Sequence, residues 1–365
     1  MAIVLGVAGC GSSASSAGGR GGGAGTQEGT DAQAGGAAGS DDAGSDDAGD
    51  CPGPPPMTEA IGWASQNGGT TGGGTAAPVT VTTLAALNAA AAGTAPAVIY
   101  VRGVLESGSV VIGSNKTIAG MCGAEIHGHV QLTGSANVIL RNIKIVGFNC
   151  TDAGAMAAHQ CSAGLDAVTV ITNAHNLWFD HLDVSDGSDG NLDITNGSDF
   201  VTVSWTKFSY STARADLPGN NDQAPESGHR FSNLIGSSDT TLTDMGKLNV
   251  TWHHDWWADN IDQRMPRTRF GKIHLFNNLF TAAGNSYCTN AGLMASVLVE
   301  NSVYDGVNDP LAPDANGDML GRDNIFPNST GSMTATGMGF VPPYSYMLDG
   351  TADLEATIRS GAGPR

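Results

Sequence analysis

A template of eight residues recurs along the chain: alternating apolar positions, a polar, His or Asn step, and then a bulky apolar residue. It occupies Val138–Ile145, Leu177–Val184, Val201–Phe208, Val250–Trp257, Ile273–Phe280 and Val297–Tyr304. Its starts are separated by 39, 24, 49, 23 and 24 residues, so three steps agree and 49 reads as about two of them. A period of this size marks a repeat architecture in which each unit buries its apolar face only against its neighbours. Short β-rich units with no helical linkers suit an all-β parallel β-helix. Asn142, Asn277 and Asn301 occupy corresponding template positions or lie within one of them, and are expected to stack as a ladder where each coil turns. A β-sandwich would need as many strands, but repetition at constant period counts against it.

The repeats do not reach the N-terminus. Residues 11–56 are almost wholly Gly, Ala, Ser, Asp and Pro, too little apolar surface to offset chain entropy, and read as a disordered linker. Residues 1–10 end in small residues and Cys10, and resemble the lipobox of bacterial lipoproteins. That resemblance implies lipidation of Cys10, a secreted or cell-surface location, and membrane contact only through the anchor. Residues 57–365 form the folded domain, expected to act as a monomer. The other cysteines, Cys51, Cys122, Cys150, Cys161 and Cys288, are odd in number: Cys150 and Cys161 bracket a polar loop and suit a disulfide if the chain is exported, Cys122 and Cys288 could equally be buried thiols, and the pairing of the five stays open.

Formal net charge is −19, of which the linker supplies −6, which excludes nucleic-acid binding. Against this background Arg264-Met265-Pro266-Arg267-Thr268-Arg269 concentrates three of sixteen basic residues, as a site for an anionic group would. Upstream, Asp166, Asp189 and Asp193 open successive coils. Equal coil phase would bring them within about 4.8 Å per coil, where mutual repulsion calls for a hard cation such as Ca²⁺. The plain alternatives are a solvated acidic face, and a surface Arg264 paired with Asp259 or Asp262.

Six ordered segments, Asn176–His181, Asp189–Ile194, Val201–Trp205, Leu234–Asp239, Val250–His254 and Arg264–His274, together with Ser114–Ile118 and Tyr287-Cys288, resemble pectate lyases of polysaccharide lyase family 1. The resemblance implies a right-handed single-stranded parallel β-helix with long loops over its cleft. It also implies cleavage of the α-1,4 bond of polygalacturonate or pectin by Ca²⁺-dependent β-elimination, yielding unsaturated oligogalacturonates. Arg264 matches the family's C5 proton-abstracting base, and Arg269 a residue that binds substrate carboxylate. Asp166, Asp189 and Asp193 match calcium ligands. A guanidinium is protonated far above neutral pH, so an arginine base implies neighbouring positive charge, exclusion from water and an alkaline optimum. Three departures accompany the match. Gly164 replaces a further acid, which implies weak calcium binding without substrate. Thr195 replaces a substrate lysine, and Phe231 replaces another, with adjacent Arg230 as the candidate substitute. Ser209–Gly228 reads as a loop over the cleft.

Three other readings compete. A pectin lyase acting without calcium would be expected to lose the acidic triad. A polygalacturonase would need grouped acids, for which Asp186 and Asp189 are the nearest imitation. A non-catalytic carbohydrate-binding β-helix would use Trp178, Trp252, Trp256 and Trp257 as sugar platforms, although strand positions suit them equally to the core. Adjacent His253 and His254 are expected on opposite strand faces, which argues against joint metal ligation.

Overall fold

A computed structural model describes residues 51, 53–148, 165–211 and 229–365. The compact unit Gly49–Arg365 is built from short strands that pair in parallel with their counterparts one coil before and after. One face is a ten-stranded sheet running from Pro78–Val81 to Asp318–Arg322. The other strands form two arms that diverge from Glu125–Thr133, one through Lys144–Val146 and the other through Val168–Ile171. With three short strands to most coils, this is the expected parallel β-helix.

Val138, Leu177, Val201, Val250, Ile273 and Val297 stand directly opposite one another in the ten-stranded sheet. All are buried, so the six template starts form one internal row. The spacing of 49 nevertheless corrects the expectation of two coils. Val201 pairs with Val250 itself, so that step is a single enlarged coil, as is the step of 39 from Val138 to Leu177. Insertions between strands lengthen a coil without disturbing register, because the ladder constrains only the paired residues.

The coil interior is a column of stacked rings. Phe208, Trp257, Phe280 and Tyr304 occupy equivalent positions, with 4.5 Å between the Trp257 and Phe280 centroids and 4.1 Å between Phe280 and Tyr304. Burying each such ring contributes about 2–3 kcal/mol. Trp252 is buried beside this column, Trp178 is buried against Ala64 and Ile139, and Trp256 packs with Leu354 and Ile358 of the helix Thr351–Gly361. The four tryptophans therefore serve packing, contrary to a role as open sugar platforms.

Each strand of the ten-stranded sheet from Ala136–Arg141 to Asp318–Arg322 ends in a residue with left-handed φ: Asn142, His181, Trp205, His254, Asn277, Asn301 and Asp323. The expected ladder exists there with mixed membership. Asn301 Nδ2 donates to Asn277 Oδ1 at 2.7 Å, while His181, Trp205 and His254 continue the row as stacked rings. Asn142 closes its far end, donating to Gly120 O and accepting from the Arg365 N–H at 2.7 Å. The same turn corrects the expectation for the histidines. Because the strand ends at His253, His254 does not alternate away from it, and the two Nδ1 atoms lie 2.9 Å apart.

The cysteine expectation also changes. Cys51 and Cys122 form a disulfide across 71 residues, so Cys122 is not a buried thiol, whereas Cys288 is one. Cys150 and Cys161 lie outside the described residues, as does most of the Ser209–Gly228 stretch. Arg141 Nη1 donates to Pro55 O at 2.5 Å, so the pinned chain begins ahead of residue 57.

Beside the turn row runs a second ladder, in which each side chain caps the backbone N–H of the preceding coil. Thr206 N–H donates to Asp255 Oδ1 at 2.8 Å, Asp255 N–H to Asn278 Oδ1 at 2.8 Å, and Ser302 N–H to Asn324 Oδ1 at 2.9 Å. Asp255 is the acid among amides. It is wholly buried, its Oδ2 has no close donor among the described residues, and burial raises its carboxyl well above the usual range. The folded chain thus holds a proton that the unfolded chain releases above about pH 4, and stability falls as pH rises through that window. Asp255→Asn keeps the acceptor and removes the titration. It should melt higher than the parent at pH 8, by about 1–2 kcal/mol of stability, with the gap vanishing near pH 3. Melting curves across pH check this; a destabilised variant at pH 8 would show that the carboxylate is held ionised.

Candidate active site

The second arm carries the polar site. Along it Val170, Ile194, Ile235, Thr268 and Ala291 turn into the core, so the residue before each one faces outward. Those residues are Thr169, Asp193, Leu234, Arg267 and Asn290. Asp166, Asp189 and Arg264 come just ahead of the same strands, at the corners leading into them.

Asp166 and Asp193 converge. A Cβ placed on Gly190 would meet Asp193 Oδ1 at 2.7 Å and Asp166 Oδ1 at 3.0 Å, so both oxygens border one small space that only glycine leaves open. Asp166 Oδ2 accepts from Thr169 Oγ1 at 2.6 Å, whereas its Oδ1 is buried with no partner among the described residues. Asp193 Oδ1 takes the Leu234 N–H at 2.9 Å. Burial first, then the neighbouring carboxylates, push Asp166 up to about 7 and Asp193 well above the ordinary range, with the Arg264 charge opposing both.

Asp189 differs because an imidazole stands against it. His229 Nε2 lies 2.7 Å from Asp189 Oδ1, and that bond holds the Asp189 carboxyl below its usual range against the effect of burial. Among the described residues no three His, Cys, Asp or Glu side chains make a metal cage on their own. An orphaned carboxylate oxygen and a second one bordering the same gap fit a hard, oxygen-ligated divalent cation that still needs further oxygens from elsewhere.

Arg264 lies close enough for its charge to act on all three aspartates. Its guanidinium sits 4.1 Å over the Phe231 ring, and its Nε is buried with no acceptor among the described residues. It makes no ion pair with Asp259 or Asp262; Asp262 accepts instead from Gln263 and Ser286. The other predicted arginines are placed differently. Arg269 faces outward on the same strand run but donates to Asp239 Oδ1 at 2.7 Å and to Gly236 O at 2.9 Å. Arg230 donates to Asn260 O at 2.6 Å, and it is Phe231 that underlies Arg264. Asp186, the acid weighed for hydrolysis, is buried and accepts from the Ser211 N–H at 2.8 Å.

Sequence reasoning missed His229 and the use of Phe231. His229 packs its ring 3.9 Å from that of Phe231, which links Asp189 to Arg264 through two rings. No spacing announces such a contact, since residues 189 and 229 meet only because their coils are adjacent.

The stacked coils thus bring these carboxylates and the Arg264 guanidinium, which has no ion pair among the described residues, to one outer face. The chain belongs to the pectate lyase family, whose model matches residues 54–348, and is accordingly a polysaccharide lyase. It is 33% identical over 325 residues to "Probable pectate lyase B" of Aspergillus terreus, covering 84% of this chain and 89% of that protein. It is 30% identical over 327 residues to "Pectate trisaccharide-lyase" of Bacillus licheniformis, covering 83% and 85%. Among solved structures, "Pectate lyase bound to hexasaccharide" superposes with a TM-score of 0.68 at 21% identity, covering 86% of this chain and 98% of that one.

The Phe231 platform is testable. A guanidinium over an aromatic face is worth about 1 kcal/mol, and losing it frees the Arg264 side chain to wander. Phe231→Ala should lower kcat roughly tenfold with little change in KM, while Phe231→Tyr should stay near the parent rate. Steady-state kinetics decide; equal losses in both variants would mean that the ring's bulk is irrelevant to Arg264.

Proposed function

We propose that the chain cleaves α-1,4-linked polygalacturonate by β-elimination, with Arg264 as the base that takes the C5 proton. The neutral guanidine of Arg264 takes the C5 proton, the C5–H electrons form the C4=C5 double bond, and the C4–O bond breaks with its pair on the glycosidic oxygen, which takes a proton from water to become the hydroxyl of the other product. One product therefore carries an unsaturated end. The observation that carries the reading is the meeting of Arg264 with Asp166, Asp189 and Asp193 on one outer face. The names of the two relatives, both pectate-cleaving, add support.

Asp166, Asp193 and Asp189 would hold Ca²⁺. When bound, the ion supplies positive charge beside the uronate carboxylate, which makes the C5 proton more acidic. The protein contributes the rest of the chemistry. Asp166, Asp189 and Asp193 do not fill a calcium ion's coordination by themselves, which leaves room for the substrate's own carboxylate and suits weak calcium binding before substrate arrives. His229 orients Asp189, Phe231 holds the guanidinium flat, and Arg269, on the same face, is the candidate for a neighbouring uronate if it exchanges Asp239 for substrate.

Supplying polygalacturonate with calcium should produce ultraviolet absorbance from the conjugated product, and a chelator should abolish it. Arg264→Ala should lower the rate by at least a thousandfold while costing no more than about 1 kcal/mol of stability, the worth of its contact with Phe231. Reducing ends without absorbance would mean hydrolysis, and saccharide binding without turnover would mean a carbohydrate-binding protein. An active Arg264→Ala chain would remove the arginine from the base role.

We also read the chain as exported and tethered through Cys10. The Cys51–Cys122 disulfide supports an oxidising compartment. Metabolic labelling with a radioactive fatty acid in a bacterial host should mark the chain and be lost in Cys10→Ser; an unlabelled parent would exclude the anchor.

A further inference from the structure

Beyond Arg264 the outer face continues as a groove of about 540 Å³ that none of the roles above uses. Gln263, Ser286, Asp309 and Ser332 line it at intervals of 23 residues, one per coil. With coils about 4.8 Å apart, they span roughly 14 Å along the axis, room for about three pyranose rings in file. The groove starts in the coil of the base, because Gln263 precedes Arg264 and bridges to Phe231.

Its charge changes from coil to coil. At the near end Arg267 is the lone cation of the lining, and its guanidinium has no hydrogen-bond or ion-pair partner among the described residues. Next to it in register stands Asn290, 6% exposed. Its Nδ2 donates to Ala312 O at 2.7 Å and Asp314 Oδ1 at 3.1 Å, which fixes the amide's orientation. Asn290 Oδ1 is then left buried with no donor among the described residues. A planar guanidinium suits a carboxylate, and an orphaned buried acceptor calls for a hydroxyl. A uronic acid carries both groups on one ring. In the coil after Asn290, Asp309 and Asp314 line the groove, Asp314 as an acceptor of the Asn290 amide, with no Lys or Arg ion pair among the described residues. Asp309 Oδ1 takes the Ser332 N–H at 2.8 Å, which fixes that carboxylate in place.

We infer that this groove is a polarised pair of subsites, in which Arg267 and Asn290 receive a free galacturonate while Asp309 and Asp314 favour an uncharged, methyl-esterified galacturonate beyond it. The inference rests on the lyase reading and deepens it, since it names partially esterified pectin as the preferred substrate. A free carboxylate on the sugar over the Asp309 coil would face the two carboxylates there. Esterification removes that repulsion and leaves the carbonyl acceptor and ring hydroxyls intact.

The test compares kcat/KM on polygalacturonate and on pectin of partial methyl esterification, at fixed free calcium. The parent should prefer the esterified polymer. Asp309→Asn with Asp314→Asn should raise kcat/KM on polygalacturonate about tenfold, and change it less than twofold on the esterified polymer. Arg267→Gln should lower kcat/KM on both about tenfold through KM, with kcat held within twofold. Because screening weakens exposed repulsion, the parent's preference should shrink between 50 and 500 mM salt, whereas the double variant should show no such trend. Melting curves confirm that each variant is folded.

An unchanged substrate ratio in the double variant overturns the inference. So does a loss of activity on polygalacturonate, which would mean that the two acids bind a cation shared with substrate. If the parent forms unsaturated product from neither polymer, the lyase reading fails by itself. The groove is then judged by calorimetry with trigalacturonate and its methyl esters. Tighter binding of the free acid to the parent than to the double variant would overturn it, and the reverse order would sustain it.

Discussion

Parallel pairing in register governs where every side chain of one coil stands relative to the next. Val138, Leu177, Val201, Val250, Ile273 and Val297 share a row because each strand's backbone bonds to the strand before it. Once that row is set, the rings at 208, 257, 280 and 304 must stack, and the turn residues at 142, 181, 205, 254, 277 and 301 must fall in line. The polar site follows from the same geometry. Asp166, Asp193 and Arg264 belong to different coils, and nothing in their sequence separation brings them together except the repeat of the coil.

That repeat also explains why acids can be gathered at some cost to stability. Asp166 and Asp193 are held ionisable in a place where burial and mutual repulsion favour their neutral forms. Asp255, equally buried, lies in the interior ladder with a backbone donor and no ion-pair partner among the described residues. The difference between the two settings is Arg264 and the open space beside Gly190, which make the outer pair a place for positive charge. The scaffold absorbs the penalty because the rows of Val, Ile, Leu and aromatic side chains run through every coil, site or no site.

Much of this was legible from residue order. The apolar template located the register row residue by residue, because a strand buried in a solenoid shows the same pattern in every coil. Asn277 and Asn301 pair as the template positions suggested, since asparagine tolerates left-handed φ and can bond to its copy one coil away. What failed did so for physical reasons. The step of 49 was divided in two because sequence spacing cannot separate an enlarged coil from a pair of coils; only the Val201–Val250 pairing does. His253 and His254 were assigned to opposite faces because alternation was carried one residue past the strand's end. The Cys51–Cys122 pairing is not legible because 71 residues separate the two, whereas proximity in sequence points to Cys150 with Cys161. His229 was invisible for the same kind of reason: it reaches Asp189 from a neighbouring coil.

The enlarged coils bear on function as well. Both extra-long steps, 138 to 177 and 201 to 250, fall among the coils that carry Asp166, Asp189, Asp193 and His229, while the coils from 250 onward keep steps of 22 to 24. Regular coils leave the row Arg267–Asn290 and the file Gln263–Ser286–Asp309–Ser332 flat and evenly spaced, which is what a polymer of equal repeat needs. A chain lying along them meets one set of side chains per coil, so a change in charge from Arg267 to Asp309 is read as a change from one sugar to another. Register, which the core requires for packing, thereby becomes a ruler for the substrate.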